Sequence, residues 1–312
     1  MVRFFAVIFL VFSCFGLFLF KRDSFGTTSP IPAEVKNKPT KSVNSWYPNV
    51  LGQRSENLIL SSSSAILVDY DSAEVVYGKN VNDRLPAAST IKIMTALVAL
   101  ENANAKDVFA VSEKAASVGE NSMGLSAGEK ATLEELLYGM MLVSGNDAAV
   151  VVAEGVSGGE EEFVSLMNNK AAELGLKDTK FVNASGLDVD GEVQYSSAYD
   201  MAVIARYVWE NYPTFRNITS TFHKYIETTS THKDFDLYND TNLLTTYPGV
   251  RGIKPGFTWE AGLCLVTYAE NDDRKLIGVV LGSGDRRGEM KELLDYGFGS
   301  FGIVVIHPDL DL

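Results

Sequence analysis

The segment PAASTIKIMT, residues 86–95, opens a run that is apolar almost all round from Ile91 to Leu100. Such a run predicts a buried helix rather than a surface helix. Lys92 is the one charged residue in the run, and a buried lysine is costly unless it has partners. Because positions three apart share one face of a helix, Lys92 should lie beside the hydroxyl of Ser89. We therefore expect a serine and a buried lysine in contact where this helix begins.

The predicted Ser89–Lys92 pair has a use in catalysis. The N-terminus of a helix favours negative charge on Ser89 and disfavours a protonated lysine. Burial also lowers the pKa of a lysine, and an uncharged amine can take the proton of an attacking serine. A helix cap followed by an unrelated lysine would explain the same residues, since Ser-x-x-Lys is frequent by chance. The pair is a candidate nucleophile and base that needs support from other residues.

A second motif, Ser144-Gly145-Asn146, separates two segments with helical patterns. A serine and an asparagine two residues apart on such a turn can present a hydroxyl and an amide to one cleft. The alternative is a helix stop and restart, in which Gly145 ends the first helix and Asn146 or Asp147 caps the next. Taken alone, the motif favours this structural interpretation.

A third motif, Lys254-Pro255-Gly256-Phe257-Thr258, lies between a Pro-Gly turn signal and a strand-like run. A lysine, and a glycine that permits close approach, would suit an anionic substrate if they lay at a strand edge. A surface turn built on Pro-Gly would explain the same residues. The motif by itself therefore does not assign a site.

Strand-like segments lie at both ends of the remaining sequence, with helical patterns between them. The apolar runs Ala65 to Tyr70 and Glu74 to Tyr77 predict a β-hairpin. Helices are predicted at residues 133–141, 148–154, 163–174, 198–209 and 287–296, and strands at residues 263–268 and 275–281. This order indicates an α/β (α+β) fold in which a sheet packs against helices.

The first 23 residues differ from the rest of the chain. Phe4 to Phe20 is a nearly continuous apolar run of 17 residues, which is just long enough to span a thin hydrocarbon layer. The same run is close in length to the core of a signal peptide. We expect residues 1–23 to be a signal-anchor or a signal peptide. The domain would then be extracytoplasmic and tethered to the cell membrane, or secreted if the segment is cleaved.

The folded part of the chain is predicted to be a single domain. Residues 24–57 are rich in Ser, Thr, Pro, Lys and Asn, a composition that cannot bury a core and predicts a flexible linker. The domain is expected over residues 58–306, and residues 307–312 form a short tail. No internal repeat divides the domain.

Charge and composition exclude several classes of function. The formal net charge of −13 argues against binding to nucleic acid. His223, His232 and His307 lack Cys or carboxylate partners at ligand spacing, so no metal site is expected. Cys14 lies in the N-terminal apolar segment and Cys264 in another apolar run, which predicts neither a disulfide nor a thiol nucleophile. No cofactor is expected either.

Taken together, the three motifs resemble a known constellation. Ser-x-x-Lys, Ser-x-Asn and Lys-Thr-Gly occur in this order in penicillin-binding proteins and serine β-lactamases. The surrounding sequence is similar to the low-molecular-weight D-alanyl-D-alanine carboxypeptidases over about residues 65–298. The similarity is carried by residues 86–95, 136–149, 186–188, 252–262 and 293–298. It implies a β-lactamase/transpeptidase-like fold, with an antiparallel sheet flanked by helices, a helical lobe, and an active-site groove between them.

The resemblance also implies an activity. These carboxypeptidases are serine peptidases that remove the terminal D-alanine from peptidoglycan stem peptides through an acyl-enzyme, and β-lactams such as penicillin trap that intermediate. By motif, Ser89 would be the nucleophile and Lys92 the general base. Ser144 would relay the proton to the leaving amine.

Five further residues would bind the substrate if the resemblance holds. Asn146 would hydrogen-bond the peptide backbone, and Lys254 would supply positive potential for the substrate carboxylate. Gly256 and Thr258 would lie along the substrate. The backbone N–H groups of Phe257 and of the nucleophile would form the oxyanion hole, where one donor is typically worth about 3 kcal/mol.

Two departures from the family pattern concern recognition of the carboxylate. The family's Lys-Thr-Gly is Lys254-Pro255-Gly256 here, so one hydroxyl is missing. Proline also lacks an N–H, which a sheet tolerates at an edge strand, the place of this strand in the family. Thr258 is expected to keep part of the contact. The family's additional arginine has no clear counterpart, and Arg251 is a candidate by proximity alone.

Three alternatives stay open. A class A β-lactamase would need a catalytic carboxylate, typically in a Glu-x-x-Leu-Asn run, and no such run lies between Asn146 and Lys254. A D,D-endopeptidase would use the same residues to cut cross-links. A non-catalytic peptidoglycan-binding relative is supported by Pro255 alone.

Overall fold

The structure is a computed structural model that describes residues 46–50, 58–189, 191–192, 194–241 and 243–308. All of these residues belong to one compact unit of the chain. The predicted signal-anchor at residues 1–23 and most of the predicted linker lie outside the described residues. Within the described ranges, no helix has both the length and the apolar character needed to cross a bilayer.

Strands at both ends of the domain enclose a largely helical middle, as the sequence predicts. The strands are β1 (Ser64–Asp69), β2 (Val75–Lys79), β3 (Val108–Ala110), β4 (Lys130–Thr132), β5 (His223–Ile226), β6 (Phe235–Tyr238), β7 (Val250–Thr258), β8 (Gly262–Asn271) and β9 (Arg274–Ser283). The helices are α1 (Lys92–Asn102), α2 (Glu113–Ala116), α3 (Leu133–Leu142), α4 (Asn146–Ser157), α5 (Glu160–Glu173), α6 (Ala198–Asn211), α7 (Pro213–Thr219), α8 (Leu243–Thr246) and α9 (Arg286–Ser300).

One antiparallel sheet joins the two ends of the domain. Its strand order is β2-β1-β9-β8-β7, and β1 and β2 are the predicted hairpin. In β7, Lys254 pairs with Val266 of β8 and Pro255 pairs with Leu265. Because β7 lies at one edge of this order, the sheet tolerates the absence of an N–H donor at Pro255.

The sheet separates two hydrophobic cores because its side chains alternate between faces. On β8, Val266 and Tyr268 belong to the core shared with the helical lobe, which includes residues of α1, α3, α4 and α6. Leu265 and Ala269 belong to the core on the opposite face, which α9 covers. The predicted α/β (α+β) fold, with an antiparallel sheet flanked by helices and a helical lobe, is confirmed.

Two short ribbons in the structure were not predicted from the sequence. β3 pairs with β4, and β5 pairs with β6, in strands of three or four residues. Segments this short contain too few residues to show a period. The second ribbon matters for the site, since β6 ends two residues before Asp240.

Residues of the predicted linker and tail contact the domain. The indole N–H of Trp46 donates to the carbonyl of Tyr70 at 2.8 Å. The backbone N–H of Asn49 donates to a carbonyl in the turn between β1 and β2. At the other end, His307 lies 2.9 Å from a carboxylate oxygen of Asp295. Residues before position 58 and after position 306, the predicted limits of the domain, therefore pack against it.

Candidate active site

The candidate nucleophile lies at a change of helix type. Residues Ala88–Ile91 form a 3-10 turn, and α1 continues from Lys92. In a 3-10 turn, side chains at positions i and i+3 are nearly eclipsed. The Nζ atom of Lys92 lies 2.8 Å from the Oγ atom of Ser89. The expected contact is present, and Ser89 is only half-buried, so its hydroxyl faces an accessible space.

The amine of Lys92 has three polar partners. The side chain is 0% exposed, and Nζ lies 2.8 Å from Oδ1 of Asn146 and beside the carbonyl oxygen of Ser185. An uncharged amine has two N–H donors and one lone pair. It can donate to Asn146 and Ser185 and still accept the hydroxyl proton of Ser89. The set of partners therefore accommodates both the protonated amine, with three donors, and the neutral amine, with two donors and one acceptor.

The charge environment of Lys92 favours the neutral form. Burial lowers the pKa of Lys92 well below the ordinary value of a lysine, and the nearby positive charge of Lys254 lowers this pKa further. The carboxylates of Asp240, Glu120 and Asp147 act in the opposite direction and raise the pKa of Lys92. The lowering causes are larger, so the net change favours the neutral amine, which is the form that can accept a proton.

The second motif forms the turn between α3 and α4. Ser144 is buried and has a φ of 61°, in the left-handed region that is unfavourable for residues other than glycine. Asn146 opens α4, and its Nδ2 donates to the carbonyl of Gly119 at 3.1 Å. The N-cap is Gly145 rather than Asn146 or Asp147. The turn thus presents a hydroxyl and an amide at the same place.

Asp147, predicted from the sequence only as a possible helix cap, has a structural role. Its carboxylate is 1% exposed and accepts hydrogen bonds of 2.6 to 3.0 Å from the loop after α2. The donors are the backbone N–H groups of Met123, Gly124 and Leu125 and the hydroxyl of Ser122. These bonds tie the loop to α4, and Glu120 and Asn121 of the same loop line the groove.

The third motif brings β7 against the nucleophile. A Cβ atom on Gly256 would lie 3.0 Å from the backbone nitrogens of Ser89 and Thr90, so the close approach requires glycine. Phe257, the next residue, is 46% exposed and lines the groove together with Ser89. The backbone of β7 therefore passes directly beside the serine.

Lys254 lies behind this strand with an acidic partner. Its side chain is 0% exposed, and Nζ lies 3.5 Å from Oδ1 of Asp240. Burial lowers the pKa of Lys254, while Asp240 acts against that change. The positive potential expected from Lys254 is therefore partly offset by a carboxylate that lines the groove.

The hydroxyl of Thr258 has a different partner from the one expected. Its Oγ1 donates to Oδ1 of Asp188 at 3.2 Å and accepts from the backbone N–H of Ala261 at 3.1 Å. With its proton directed at Asp188, Thr258 is not a free donor for a substrate carboxylate. Thr258 does line the groove, as predicted.

The prediction that Arg251 is the additional arginine of the site is wrong, because another arginine lines the groove. Arg251 pairs with Glu270 at 3.1 Å on the exposed surface and is not among the groove residues. Arg286, the first residue of α9, lines the groove and donates from Nη1 to the carbonyl of Gly256 at 2.6 Å. Proximity in sequence misled the prediction, because the β8–β9 hairpin returns the chain to β7.

The groove joins residues from all three motifs. Ser89, Ser144, Asn146 and Gly256 line it together. Lys92 and Lys254 are buried behind its walls. Three charged residues at the groove belong to none of the sequence motifs: Glu120, Asp240 and Arg286.

Other reactive side chains lie away from this chemistry. Cys264 is buried, and burial raises the pKa of its thiol to about 11, so it is not a nucleophile. Among the described residues, no cluster of His, Cys, Asp or Glu could hold a metal ion. The reactive groups of the groove are the serine hydroxyls and the lysine amines.

Comparisons with known proteins agree on one family. A family model described as D-alanyl-D-alanine carboxypeptidase matches residues 52–285. The chain is 41% identical over 258 residues to the D-alanyl-D-alanine carboxypeptidase DacF of Bacillus subtilis, covering 80% of this chain and 65% of DacF. It is 35% identical over 239 residues to DacB2 of Mycobacterium tuberculosis, covering 75% of this chain and 81% of DacB2.

Solved structures give the same result. A D-alanyl-D-alanine carboxypeptidase from Mycobacterium tuberculosis matches with a TM-score of 0.73 and 32% identity, over 79% of this chain and 96% of that one. The Streptomyces K15 DD-transpeptidase matches with a TM-score of 0.73 and 28% identity, over 78% of this chain and 100% of that one. The chain spans about 65% of the length of DacF. Since the family model covers most of its length, the chain belongs to the D-alanyl-D-alanine carboxypeptidase family.

Proposed function

We propose that the chain is a serine-type D-alanyl-D-alanine carboxypeptidase that removes the terminal D-alanine from peptidoglycan stem peptides and is acylated by penicillin. The observation that carries the proposal is a fully buried Lys92 amine, with a lowered pKa, at 2.8 Å from the Ser89 hydroxyl. A buried lysine without such a use would be costly to keep.

Acylation begins when Lys92 accepts the hydroxyl proton of Ser89. The serine oxygen attacks the carbonyl carbon between the two D-alanines, and negative charge develops on the carbonyl oxygen. The backbone N–H groups of Ser89 and Phe257 stabilise that charge, and Gly256 allows their approach. The C–N bond then breaks, an ester forms on Ser89, and D-alanine leaves after its amine receives a proton through Ser144.

Recognition of the terminal carboxylate falls mainly to Arg286. The guanidinium lines the groove beside Gly256, and burial lowers its pKa. It remains a cation, because a guanidinium is not deprotonated in proteins. Lys254 adds a second positive charge that Asp240 partly offsets. These groups replace the hydroxyl that Pro255 does not supply.

Deacylation regenerates the enzyme. Water attacks the ester carbonyl and gives its proton to the amine of Lys92, and the proton returns to the oxygen of Ser89 as the ester bond breaks. The products are the shortened stem peptide and free Ser89. The same residues thus serve both half-reactions.

Labelling with fluorescent penicillin tests this proposal. The wild-type protein should take one covalent label, and Ser89→Ala should take none. Ser165→Ala, a change at an exposed serine of α5, is the matched control and should be labelled normally. Covalent label on Ser89→Ala would overturn the assignment of the nucleophile.

Product analysis then separates the related activities. Release of D-alanine from a pentapeptide supports the carboxypeptidase. Cleavage of a cross-linked dimer in preference to the pentapeptide would support a D,D-endopeptidase. Rapid hydrolysis of penicillin without stable label would support a β-lactamase, and binding of peptidoglycan without label or turnover would support a non-catalytic relative.

We also propose that the domain works outside the cytoplasm, tethered to the cell membrane by the apolar segment Phe4 to Phe20. The support is the length and composition of that segment together with the location of peptidoglycan substrates. Fractionation of cells that express the full chain tests the tether. Penicillin-binding activity should sediment with membranes, and it should become soluble in a Phe12→Lys variant.

A further inference from the structure

A small cavity lies next to the groove, on the side of the sheet that α9 covers. Its volume is about 40 Å³. Leu243 and Leu265, which belong to the core under α9, form its apolar part. Asp240, Pro255 and Arg286 line both the cavity and the groove. The two spaces are therefore neighbours that share three residues.

The cavity contains a buried hydroxyl without a partner. Thr241 lines the cavity and is 2% exposed, and its Oγ1 atom makes no hydrogen bond to any residue that the structure describes. The backbone N–H of Thr241 donates to Oδ1 of Asn239 at 2.9 Å, which holds the residue in place. A buried hydroxyl that makes no hydrogen bond costs free energy. A bound group that accepts its proton is therefore favoured.

Positive charge exceeds negative charge around the cavity. Arg286 and Arg287, the first two residues of α9, both line it, and Lys254 is buried 3.5 Å from Asp240. Among the described residues that line the cavity, Asp240 is the one carboxylate. Three cations thus surround one acidic group.

The three cations also repel one another. Burial lowers the pKa of Arg286, and the charge of Arg287 lowers it further, while Asp240 opposes the change. Burial and then the charge of Arg286 lower the pKa of Lys254, again against Asp240. An anion close to the guanidinium groups would offset this repulsion.

The size and the donors of the cavity define the kind of ligand. A single water needs about 10–15 Å³ of such space, so the cavity has room for one small anion or for two or three waters. It is too small for an amino acid or a sugar. Guanidinium groups only donate hydrogen bonds, and the hydroxyl of Thr241 has a proton to donate. A small anion accepts all of these donors and also neutralises charge, which water does not.

We propose that the cavity lined by Thr241, Arg286 and Arg287 is a binding site for one small monovalent anion such as chloride. The site is coupled to the groove, because Arg286 also lines the groove where the substrate carboxylate is proposed to bind. The coupling rests on the proposed function, whereas the site itself does not. A bound anion draws on the positive potential of Arg286, so the anion and the carboxylate weaken each other's binding to the same degree.

Melting temperatures of the full chain test the site. Replacement of sodium gluconate by sodium chloride at constant ionic strength should raise the Tm by about 3 °C when chloride exceeds its Kd about tenfold. Thr241→Val removes the hydroxyl donor and should lose this gain. Thr267→Val is the matched control, because Thr267 is also buried with an unpartnered hydroxyl but does not line the cavity. It should keep the gain, and an equal chloride response in wild type and Thr241→Val would overturn the site.

A second variant tests the charge. Arg287→Gln removes one exposed cation at the cavity, so the chloride concentration for half of the Tm gain should increase by about threefold. A chloride response that does not depend on Arg287 would contradict the proposed set of ligands.

Bromide locates the anion directly, because it replaces chloride and scatters X-rays anomalously. Crystals of the full chain soaked in sodium bromide should show an anomalous peak in contact with the hydroxyl of Thr241 and the guanidinium groups. Ordered water in the cavity without anomalous signal would overturn the proposal.

Steady-state kinetics test the coupling. Chloride in place of gluconate should raise KM for the pentapeptide by about twofold to threefold and leave kcat unchanged, and Thr241→Val should show no such dependence. A KM that does not respond to chloride, with bromide bound in the cavity, would overturn the coupling alone. Penicillin labelling of Ser89 in gluconate decides the proposed function without reference to the anion, so the two failures are distinguishable.

Discussion

The two walls of the groove differ in how closely they follow the family pattern. On the helical wall, Ser89, Lys92 and Asn146 match the motifs, and the amine of Lys92 lies 2.8 Å from both Ser89 and Asn146. On the strand wall, Pro255 replaces a threonine and Asp240 lies beside Lys254. In the proposed mechanism, the helical wall holds the groups that move protons, whereas the strand wall holds the groups that recognise the substrate. The groups proposed for the chemical step therefore follow the family pattern, whereas the groups proposed for recognition depart from it.

Replacement of Lys92 should have the largest effect. Lys92→Met keeps the length of the side chain and removes the base, so the acylation rate by penicillin should fall by about a thousandfold. Stopped-flow or time-resolved labelling measures this rate. Lys170→Met is the matched control, since Lys170 is also buried but pairs with Glu101 far from the groove. Its acylation rate should stay normal even if its stability falls, and an equal loss in both variants would contradict the role of Lys92.

Contact between the two walls depends on Gly256. In Gly256→Ala the new Cβ would lie 3.0 Å from two backbone nitrogens of the 3-10 turn, so either the strand or the turn must shift. We expect acylation to slow by about a hundredfold, since the oxyanion donors are displaced, and unfolding free energy to fall by about 1–3 kcal/mol. Rates and denaturant titrations measure the two effects. Wild-type acylation in this variant would show that the walls do not cooperate.

The strand wall should lose most of its recognition without Arg286. Arg286→Ala removes a charge-assisted contact worth about 1.5–3 kcal/mol, so kcat/KM for the pentapeptide should fall by about 10- to 100-fold. Arg251→Ala is the control, because Arg251 pairs with Glu270 outside the groove. Steady-state release of D-alanine measures both, and a larger loss in Arg251→Ala would reverse the assignment.

Asp240 links the strand wall to the base on the helical wall. Acylation should increase with pH as Lys92 loses its proton, with an acid limb below the ordinary pKa of lysine. Asp240 raises the pKa of Lys92, so Asp240→Asn should lower that pKa and move the acid limb to lower pH. A pH profile of penicillin acylation records the limb. A shift to higher pH would contradict the electrostatic coupling.

The smallest expected effect comes from restoring the family residue at position 255. Pro255→Thr returns a hydroxyl to the strand edge, and one neutral hydrogen bond corresponds to a gain of about threefold to tenfold in kcat/KM for the pentapeptide. Acylation by penicillin at saturating concentration should stay unchanged, since the base and nucleophile are untouched. A loss of turnover would indicate that Pro255 is matched to its surroundings.

Local patterns predicted the helical wall better than the strand wall. The Ser89–Lys92 contact follows from one helical turn, and the burial of Lys92 follows from the apolar run around it. Arg286 could not be found in this way, because the β8–β9 hairpin separates it from β7 in sequence and the pairing of these strands brings it back. Arg251 is closer in sequence to Lys254 but lies on the exposed surface.

The sequence by itself determined the elements and the chemistry that depend on neighbours along the chain. Sequence patterns predicted the β1–β2 hairpin, β8, β9 and the longer helices, and a lysine three residues from a serine within an apolar run defined the candidate base. The tertiary structure decided which charges face one another: Asp240 with Lys254, Arg286 with Gly256, and Asp188 with Thr258. The physical reason is that ion pairs and hydrogen bonds depend on distance in space. That distance is set by the pairing of strands far apart in sequence, so a local sequence pattern does not predict it.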